Sequence, residues 1–569
     1  MSFRSLILPL AILAMACSGD AADSKEGDDD DAPIGDDDDD TTGDDDDDDD
    51  DVTGDDDDDD GLPTGDTGEP LPVVLSAPEI LYALPNVDNA YDFAFPDATD
   101  DELEPLEIVL SEAPADTLRL SIRDTQFGRV WHDGAVVAEA TADSQFDAEL
   151  PWTGGTVEVL VELGLYDVDA DLLIEELDAS GTVLASTTTR LRASPMILNH
   201  HLQDSEFVVA VDFSFFGTNN NAFLQGFTDV LGADFEAAPG GLVDQDVWMQ
   251  DEIEFATGTL PDGRRMDAVI DSIRDRGLDP YAEDRWQGEQ FGVARFGRMR
   301  ANTYDSFGNF EVAPPTDGYP MGRIYYGSVP SQAYFQPNDT VLTDFLKGQQ
   351  IQEPMEVDTS WLCVGHVDEF MSFIVDETAP RGFRLLYTDT NAAWDFLDTL
   401  DPNAEIPRYA GGGNHGIRAI SEIVDDNGLR NLNDDLQADY LDPILAQLTA
   451  DLALTPDEII LFPGLFEEPR GCGRYVAALI PGMVNLVSTN FGGQDTLFMA
   501  DPYLREDVGD QATDPLIAHV RSLMPSTTDV VFLDDWEAYH LALGEVHCGS
   551  NTIRTPAGDW WTDDPGGHQ

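Results

Sequence analysis

A cysteine near the C-terminus is the first residue of the sequence that could do chemistry. Cys548 lies in Gly544–Asn551 between small and polar residues, where its thiol is expected to be reachable. Farther back in the chain, His366 and Asp368 stand two positions apart among apolar residues, so on a strand they would share one face. A buried, hydrogen-bonded pair is the ordinary interpretation of such a doublet, and that interpretation stays open for this segment.

An acidic run at Trp248–Glu254 supplies further candidates. If the run is extended, Gln250, Glu252 and Glu254 line one face and Asp251 points to the other. Three oxygen-bearing side chains in a row repel one another unless a cation lies among them, whereas Asp251 stands alone where a cationic ligand could be held. A solvated strand edge is the alternative. Together, these segments supply a thiol, an imidazole and two carboxylates, which are the parts of nucleophilic catalysis on a cation.

The net charge of the chain limits the classes of molecule that it is expected to bind. The chain has 569 residues, of which 27 are Lys or Arg and 115 are Asp or Glu, and its net charge is −88. This excess of negative charge argues against nucleic acid as a partner. With 42% hydrophobic residues the chain can bury a sizeable core, and its length suggests two to four domains.

The N-terminus resembles an export signal. Arg4 precedes the apolar run Leu6–Ala16, which is too short to span a membrane, and the residues before Cys17 resemble a bacterial lipobox. Residues 1–16 are therefore predicted to be a lipoprotein-type signal peptide, with a plain secretory signal as the alternative. We expect an exported protein that is lipid-anchored at the outer membrane or cell surface, or else secreted, with this anchor as its membrane contact.

An Asp-rich segment follows the signal. Residues 17–72 have almost no apolar content and are predicted to be a disordered linker, a solvated spacer rather than a loose calcium binder. If Cys17 is lipidated, an odd number of cysteines remains, so at least one thiol is free. The apolar neighbours of Cys363 indicate a buried, inert cysteine.

Two regions of the chain are predicted to fold and to position the candidate catalytic residues. Residues 73–195 contain alternating β-prone runs at 106–110, 117–122 and 157–161, separated by turn residues, and these predict a β-sandwich. Three alternating acidic residues in it fit either a calcium site or a polar strand edge: Asp167, Asp169 and Asp171. From residue 196 to 569, strands alternate with helices such as 339–347 and 442–452, which predicts an α/β region without a Rossmann or phosphate-loop glycine pattern.

Several motifs resemble the calcium-dependent protein-arginine deiminases. They occur in the family's order with similar separations, from about residue 200 to 565: Trp248–Glu252, Asp271–Ser272, Arg276–Leu278, Asp305–Asn309, Val364–Phe370, Tyr539–His540, Gly544–Gly549 and Trp560–Trp561. The resemblance implies a catalytic domain at 196–569 that is a five-bladed pentein α/β propeller of ββαβ modules. It also implies that an immunoglobulin-like β-sandwich domain precedes it at 73–195.

The resemblance further implies a role for each matching position. Cys548 is the nucleophile, His366 is the general acid and base, and Asp251 and Asp368 bind the guanidinium. Three residues match substrate-binding positions: Trp248, Arg274 and Arg276. A first Ca²⁺ site is implied at the side chains of Gln250, Glu254 and Glu311 with the carbonyls of Phe307 and Phe310. A second is implied at Glu252, Asp271 and Asp275 with the carbonyl of Ser272.

The implied activity is calcium-dependent deimination of arginine-containing proteins or peptides to citrulline, through a thiouronium intermediate on Cys548. A guanidinium has a pKa above about 12 and is a poor electrophile, so two carboxylates must orient it and hold its charge. Their negative charge raises the pKa of a neighbouring thiol, so the thiolate needs help from the substrate cation or from protonated His366.

The sequence departs from the family pattern at two places. Ala542-Leu543 stands where many members have Arg-His, which removes one expected contact to the substrate peptide, and Asp275 stands where asparagine is common. Two alternatives therefore accompany the prediction. The first is a pentein hydrolase of a small guanidine, such as free arginine or agmatine. The second is a non-catalytic calcium-binding surface protein.

Overall fold

The computed structural model describes most of the chain from Val74 to Asp564. The described residues are 74–87, 102–111, 115–142, 144–151, 154–215, 217–274, 276–288, 290–295, 302–329, 338, 340–411, 416–556, 558–562 and 564. The predicted signal peptide at 1–16, the predicted linker at 17–72 and the predicted calcium ligand Asp275 lie outside them.

Two five-stranded sheets form the N-terminal part of the described chain. In spatial order, one contains Ile80–Ala83, Val183–Ala193, Asp169–Leu177, Thr117–Arg123 and Ala148–Pro151. The other contains Glu104–Val109, Thr156–Leu163, Phe127–His132, Ala135–Thr141 and Gln145–Phe146. Apolar side chains of both sheets, such as Leu106 and Leu120, share one buried core. The strands predicted near 106–110, 117–122 and 157–161 are confirmed.

Polar and aromatic contacts join this part to the C-terminal end of the chain. Arg190 lies 2.7 Å from Asp169 and 2.6 Å from Asp564, and the ring of Tyr82 stands edge-on to Trp560 with centroids 5.1 Å apart. Because Asp169 is paired with an arginine on the neighbouring strand, its position matches the polar-strand interpretation of the three alternating aspartates.

A sheet pattern is repeated through the rest of the described chain, beside two short hairpin-like pairs, Ser214–Phe215 with Thr218–Asn219 and Phe466–Glu467 with Ala477–Ala478. In each of five sheets in this part of the described chain, a central strand pairs antiparallel with one neighbour and parallel with the other. Each sheet is given in spatial order with its central strand in the middle. The first sheet contains Phe235–Pro239, Ser205–Asp212 and Ser550–Arg554, and the second contains Ile253–Thr259, Arg265–Asp271 and Phe291–Ala294, with Ile197–Leu198 as an additional edge strand beside Ile253–Thr259. The third contains Phe310–Ala313, Arg323–Ser328 and Met355–Asp358, the fourth Met371–Val375, Phe383–Asp389 and Ile459–Pro463, and the fifth Val487–Phe491, Gln494–Ala500 and Asp529–Leu533. The predicted α/β class is confirmed.

Helices connect the parallel strands within these sheets, as parallel pairing requires. The connecting helices are Asn221–Leu231, Tyr281–Arg285, Thr340–Gly348, Thr390–Leu397, Pro407–Gly411, Ile420–Val424, Asn427–Leu436, Asp442–Asp451 and Pro515–Leu523, with a π-helical turn at Gln437–Leu441. The helices predicted at 339–347 and 442–452 are confirmed to within a residue at each end. Among the described helices, none has both the length and the apolar character needed to cross a membrane.

The segment Met249–Glu252 is a helical turn, so the predicted strand is wrong before Ile253. Ile253 pairs with Asp271, which is the last residue of the neighbouring strand. The preceding residues therefore have no strand opposite them, and the chain closes a turn in which the Ile253 N–H donates to the Met249 carbonyl. The predicted alternation of side chains across two strand faces does not hold in this turn.

His366 and Asp368 also lie outside a strand, contrary to the prediction. Val367–Glu369 forms a 3-10 turn that begins after His366. The Glu369 carboxylate accepts hydrogen bonds from the backbone N–H groups of Gly365 and His366 at 3.0 and 2.9 Å. The Glu369 side chain thus accepts hydrogen bonds from two backbone N–H groups that, in a strand, would bond to a neighbouring strand. This stabilises the turn locally.

Cys363 forms a disulfide bond with Cys472, so the prediction of a free, inert Cys363 is wrong. Apolar neighbours suit a thiol and a disulfide equally. Cys363 is half-buried, and its partner is 109 residues away in the sequence. The bond lies beside a parallel backbone bridge between Leu362 and Val476, and it fixes the segment that leads to His366. Among the described cysteines Cys548 alone is free, in agreement with the predicted odd thiol.

Candidate active site

Cys548 lies in a loop between the 3-10 turn His540–Ala542 and the strand Ser550–Arg554. It is buried, contrary to the accessibility expected from its small and polar neighbours. Asn485 Nδ2 donates to Cys548 Sγ at 3.2 Å, and Asn485 Oδ1 accepts from the backbone N–H groups of His547 and Cys548 at 2.9 and 3.2 Å. Asn485 therefore holds both the thiol and the loop that carries it.

Gly544 allows this loop to approach Trp248 closely. A Cβ atom at Gly544 would lie 2.3 Å from Trp248 Cζ3, which is too close for any larger residue. Trp248 also stands edge-on to Tyr539, with ring centroids 5.7 Å apart. The structure thus places Trp248, which was predicted to contact the substrate stem, against the loop of the free thiol.

Gly308 marks the point where three predicted active-site side chains converge. A Cβ atom at Gly308 would lie 2.7 Å from His366 Nδ1, 3.1 Å from Asp368 Oδ2 and 3.3 Å from Asp251 Oδ1. Only glycine leaves this space free, so an imidazole and two carboxylates face one small volume above the backbone. We call this volume the Gly308 space.

Asp368 connects the Gly308 space to the thiol. Cys548 Sγ lies 3.5 Å from Asp368 Oδ2, and the same oxygen lies 3.0 Å from His547 Nδ1. Burial, and then the negative charges of Asp368 and Asp251, raise the pKa of the Cys548 thiol well above its usual value. A cation bound between the carboxylates would offset these charges and favour the thiolate.

The ring of His366 is oriented by Thr303. His366 is fully buried, and its Nε2 lies 2.7 Å from the Thr303 carbonyl oxygen and 3.2 Å from Thr303 Oγ1. Because a carbonyl oxygen can only accept, Nε2 carries a proton in this arrangement. Nδ1 then faces the Gly308 space, 3.7 Å from Asp251 Oδ1, without a hydrogen-bond partner among the described residues. The imidazole is therefore placed to exchange a proton with a group in that space.

Two arginines border Asp251. Arg276 Nη1 lies 3.4 Å from Asp251 Oδ2, and Arg274 Nη1 lies 3.8 Å from the same oxygen. Arg276 Nε also lies 3.2 Å from Glu252 Oε2 and 3.4 Å from Asp246 Oδ2. Arg276 thus lies within ion-pair distance of three carboxylates. Arg276 Nη2 takes part in none of these ion pairs and has no hydrogen-bond partner among the described residues.

The ligands predicted for the first calcium site lie together. Gln250 Nε2 donates to Glu254 Oε2 at 2.6 Å and to the Phe307 carbonyl at 3.4 Å, and Glu311 lines the same small cavity as Gln250 and Glu254. Phe310 directly precedes Glu311 on a strand. Burial raises the pKa of Glu254 to about 8 and that of Glu311 well above its usual value. This set of amide, carboxylate and carbonyl oxygens suits Ca²⁺, which would offset the clustered charge.

The second predicted site gains a residue that the sequence did not indicate. Glu252, Asp271 and Asp279 each bring one carboxylate oxygen to within 4.8 Å of the others. Burial raises the pKa of Glu252 to about 7 and, with neighbouring carboxylates, that of Asp271 to about 9. Both side chains have a buried oxygen without a hydrogen-bond partner among the described residues. Ser272 donates its backbone N–H to the Glu252 carbonyl at 2.8 Å, and Asp275 lies outside the described residues.

Sequence reasoning missed three residues of this region. Asp279 is a further carboxylate close to the predicted ligand Asp275 in the sequence, and this proximity could have indicated it. Asn485 and Thr303 have no local signal, since each acts on a side chain more than sixty positions away. Their roles become visible only when the chain is folded.

The part of the chain that contains these side chains is similar to a known protein family. The family model of protein-arginine deiminase (PAD) matches residues 183–562. Protein-arginine deiminase type-4 of Rattus norvegicus is 32% identical over 446 residues, which cover 73% of this chain and 65% of the relative. Type-1 of Mus musculus is 31% identical over 414 residues (69% and 59%), and type-4 of Mus musculus is 33% identical over 445 residues (73% and 64%).

The matched range contains the residues that face the Gly308 space and the free thiol. The chain spans between 59% and 65% of the length of these three relatives. Because the family model covers more than half of the sequence, the chain belongs to the protein-arginine deiminase family.

Proposed function

We propose that this protein hydrolyses peptidyl-arginine to peptidyl-citrulline and ammonia in a calcium-dependent reaction. One observation carries the proposal: Asp251, Asp368 and His366 enclose the Gly308 space, and the Cys548 thiol lies 3.5 Å from Asp368. Two carboxylates suit a planar guanidinium, and a thiol with an imidazole suits attack on its central carbon. Membership of the family supports the same chemistry.

In the first half of the reaction, Asp251 and Asp368 hold the guanidinium and its charge favours the Cys548 thiolate. The sulfur attacks the central carbon, so that a C–S bond forms and a tetrahedral adduct results. His366, in its protonated form, gives a proton to the departing nitrogen, the C–N bond breaks and ammonia leaves. A positively charged thiouronium then remains on Cys548.

In the second half, a water molecule replaces ammonia. His366 takes a proton from the water as its oxygen attacks the thiouronium carbon, and the C–S bond then breaks. The sulfur leaves as the thiolate while His366 keeps the proton taken from the water. The protonated carbonyl of the product gives its proton to solvent, and neutral citrulline is released. The buried position of the thiol and of His366 limits competing solvent reactions.

The substrate class gives a direct test of this proposal. A blocked arginine derivative and a short arginine peptide should exceed free arginine in kcat/KM by at least about tenfold, because the α-carboxylate and α-ammonium of free arginine must be desolvated without partners. Arg274→Ala should reduce this preference, because Arg274 borders Asp251 at the site. Steady-state citrulline formation with saturating calcium measures both effects.

The exposed Arg285→Ala variant is the matched control, since Arg285 pairs with Glu236 away from the Gly308 space. It should keep the preference of the parent protein. Turnover of free arginine equal to that of the peptide would instead assign the protein to hydrolysis of small guanidines. No turnover of any guanidine would favour a non-catalytic calcium-binding protein.

Calcium dependence is the second part of the proposal. Gln250, Glu254 and Glu311 would hold one ion beside the turn that carries Asp251, and Glu252, Asp271 and Asp279 would hold another. Bound calcium supplies positive charge that offsets the buried carboxylates and stabilises this turn. Arg276, which now pairs with Glu252, would then be free to leave Asp251.

Single changes at these ligands should shift the calcium requirement. Glu252→Gln and Glu254→Gln should each raise the calcium concentration for half-maximal activity by about tenfold, because each removes a charged ligand. Chelation should remove activity, and calcium but not magnesium should restore it. Glu107→Gln, on an exposed strand position, should leave the calcium requirement unchanged. Full activity in excess chelator would contradict this assignment.

The fold and cellular location extend the proposal. We infer that the five repeated sheets are the blades of a pentein propeller, and that the two N-terminal sheets are an immunoglobulin-like domain. We also infer export and lipid anchoring through Cys17, with the Asp-rich residues 17–72 as a spacer. The Cys363–Cys472 disulfide supports an oxidising compartment outside the cytoplasm.

A further inference from the structure

Two histidines and a glutamate meet in a small cavity next to the thiol loop. His201 Nε2 lies 3.6 Å from Glu311 Oε2, and His547 Nδ1 lies 3.5 Å from Glu311 Oε1. One ligand atom of each residue lies within 4.8 Å of the others, and the cavity, of about 20 Å³, has room for one water-sized particle. His201 has no role in the catalytic scheme.

The orientation of His201 favours metal binding. Its Nδ1 lies 3.1 Å from the carbonyl oxygen of Phe373, which can only accept, so Nδ1 carries the proton. The lone pair on Nε2 then points toward Glu311. A ring N–H that donates to a backbone carbonyl is the usual way in which proteins orient a metal-binding histidine.

Glu311 supplies a buried carboxyl group to this cavity, and one of its oxygens lacks a hydrogen-bond partner among the described residues. Glu311 is 7% exposed, and the oxygen without a partner is Oε1. Arg554 also lines the cavity, but its guanidinium donates to the carbonyl oxygens of Gln203 and Ser488 at 3.2 and 2.5 Å. Glu254 lies on the same cavity, so a cation bound there would find carboxyl oxygens that the guanidinium of Arg554 does not occupy.

We propose that His201, Glu311 and His547 form a site for a divalent transition-metal ion, with Zn²⁺ as its best match. Tetrahedral zinc with bonds of about 2.0–2.2 Å separates its ligand atoms by about 3.3–3.6 Å. Each histidine nitrogen lies at such a distance from one Glu311 oxygen, His201 Nε2 from Oε2 and His547 Nδ1 from Oε1. Imidazole nitrogens are ligands that zinc prefers and calcium does not. One His547 nitrogen already lies within 4.8 Å of the other two ligand atoms, so it is available as the third ligand.

Zinc at this site opposes the proposed activity, a consequence that rests on the proposed function. The ion takes Glu311 from the first calcium site, so the two metals compete for one carboxylate. It also competes with Asp368 for His547 Nδ1, which lies 3.0 Å from Asp368 Oδ2 next to Cys548. Zinc is therefore an inhibitor that calcium antagonises.

Binding is tested in the full-length chain carrying Cys548→Ser, which removes the free thiol as a competing ligand. Calorimetric titration with Zn²⁺ in calcium-free buffer should show one tight site per chain, and Co²⁺ in its place should give the visible absorption of a nitrogen-ligated ion. Adding His201→Gln should weaken this site by about a hundredfold and remove the absorption. His519→Gln, on a helix at the far side of the last sheet, should change neither. His201→Asn repeats the test if His201→Gln does not fold.

Inhibition is tested with Cys548 intact. The zinc concentration for half-inhibition should rise with calcium, and it should rise at least tenfold in His201→Gln relative to that variant's own zinc-free activity. Equal zinc affinity with and without His201, or no tight site in the Cys548→Ser chain, overturns the proposal. Tight zinc binding in a chain that never deiminates arginine retains the metal site and refutes only the proposed function.

Discussion

The Cys548→Ser variant is expected to lose deimination, with kcat lower than that of the parent by about 10⁴-fold or more. A serine hydroxyl cannot supply the anion that attacks the guanidinium carbon, because its pKa is far above that of a thiol. The fold should survive, since the hydroxyl can accept the Asn485 Nδ2 hydrogen bond that now goes to sulfur. Citrulline formation from a blocked arginine peptide at saturating calcium measures the effect.

A neighbouring serine provides the control for this experiment. Ser550 begins the strand two positions beyond Cys548, and its hydroxyl donates to the carbonyl of Val546 in the Cys548 loop at 2.8 Å. Ser550→Ala should keep activity within tenfold of the parent, and thermal unfolding should show that both variants are folded. A Cys548→Ser protein with kcat within tenfold of the parent would contradict covalent catalysis on this residue.

The sequence predicted the regular elements well where side-chain alternation or helical periodicity decides the structure. The runs at 106–110 and 157–161 are strands because alternate residues fill one core. The run at 249–252 has a similar pattern, but its backbone has no partner strand opposite it. Whether a partner is present depends on where the neighbouring strand ends, and this information lies in tertiary structure.

This turn also changes which acidic side chains meet. On a strand, Gln250, Glu252 and Glu254 would share a face, whereas the turn brings Gln250 against Glu254 and leaves Glu252 with Asp271 and Asp279. The turn ends at Glu252 and the strand begins at Ile253, so the first contact joins a side chain of the turn to one of the strand that follows it. Local spacing thus identified residues that could bind a cation, but the division into two clusters required the fold.

The Gly308 space shows the same limit. Motif resemblance indicated Asp251, His366 and Asp368, yet their convergence depends on a glycine whose missing side chain leaves the space free. The orientation of the His366 ring depends on the carbonyl of Thr303, a backbone atom that no sequence motif specifies. The types of the catalytic side chains were predictable because binding and attacking a guanidinium requires them. The residues that position these side chains, Gly308 and Thr303, were not predictable.

Asp368→Asn is expected to change two properties of the site in opposite directions. Activity should fall by about a hundred- to thousandfold, because one of the two charges that hold the guanidinium is lost. The alkylation of Cys548 by iodoacetamide should meanwhile become about tenfold faster at pH 8, because removal of a negative charge 3.5 Å from the sulfur lowers the thiol pKa. Alkylation rates between pH 6 and 10, with and without substrate, measure the second effect.

The sign of this change follows from the cause of the raised pKa. Burial and the charges of Asp368 and Asp251 keep the thiol protonated, so the parent protein should show a rate that still rises with pH above 9. Asp368→Asn should shift that rise to lower pH, whereas Asp395→Asn, on an exposed helix position, should not. A variant that had merely unfolded would instead react with the ordinary thiol pKa of about 8.5 and would lack a cooperative thermal transition. Faster alkylation of a folded but inactive Asp368→Asn protein would therefore show two roles for Asp368. It lowers the fraction of Cys548 thiolate in the free enzyme, and it binds the substrate. The enzyme would then form its nucleophile only when a cation is bound.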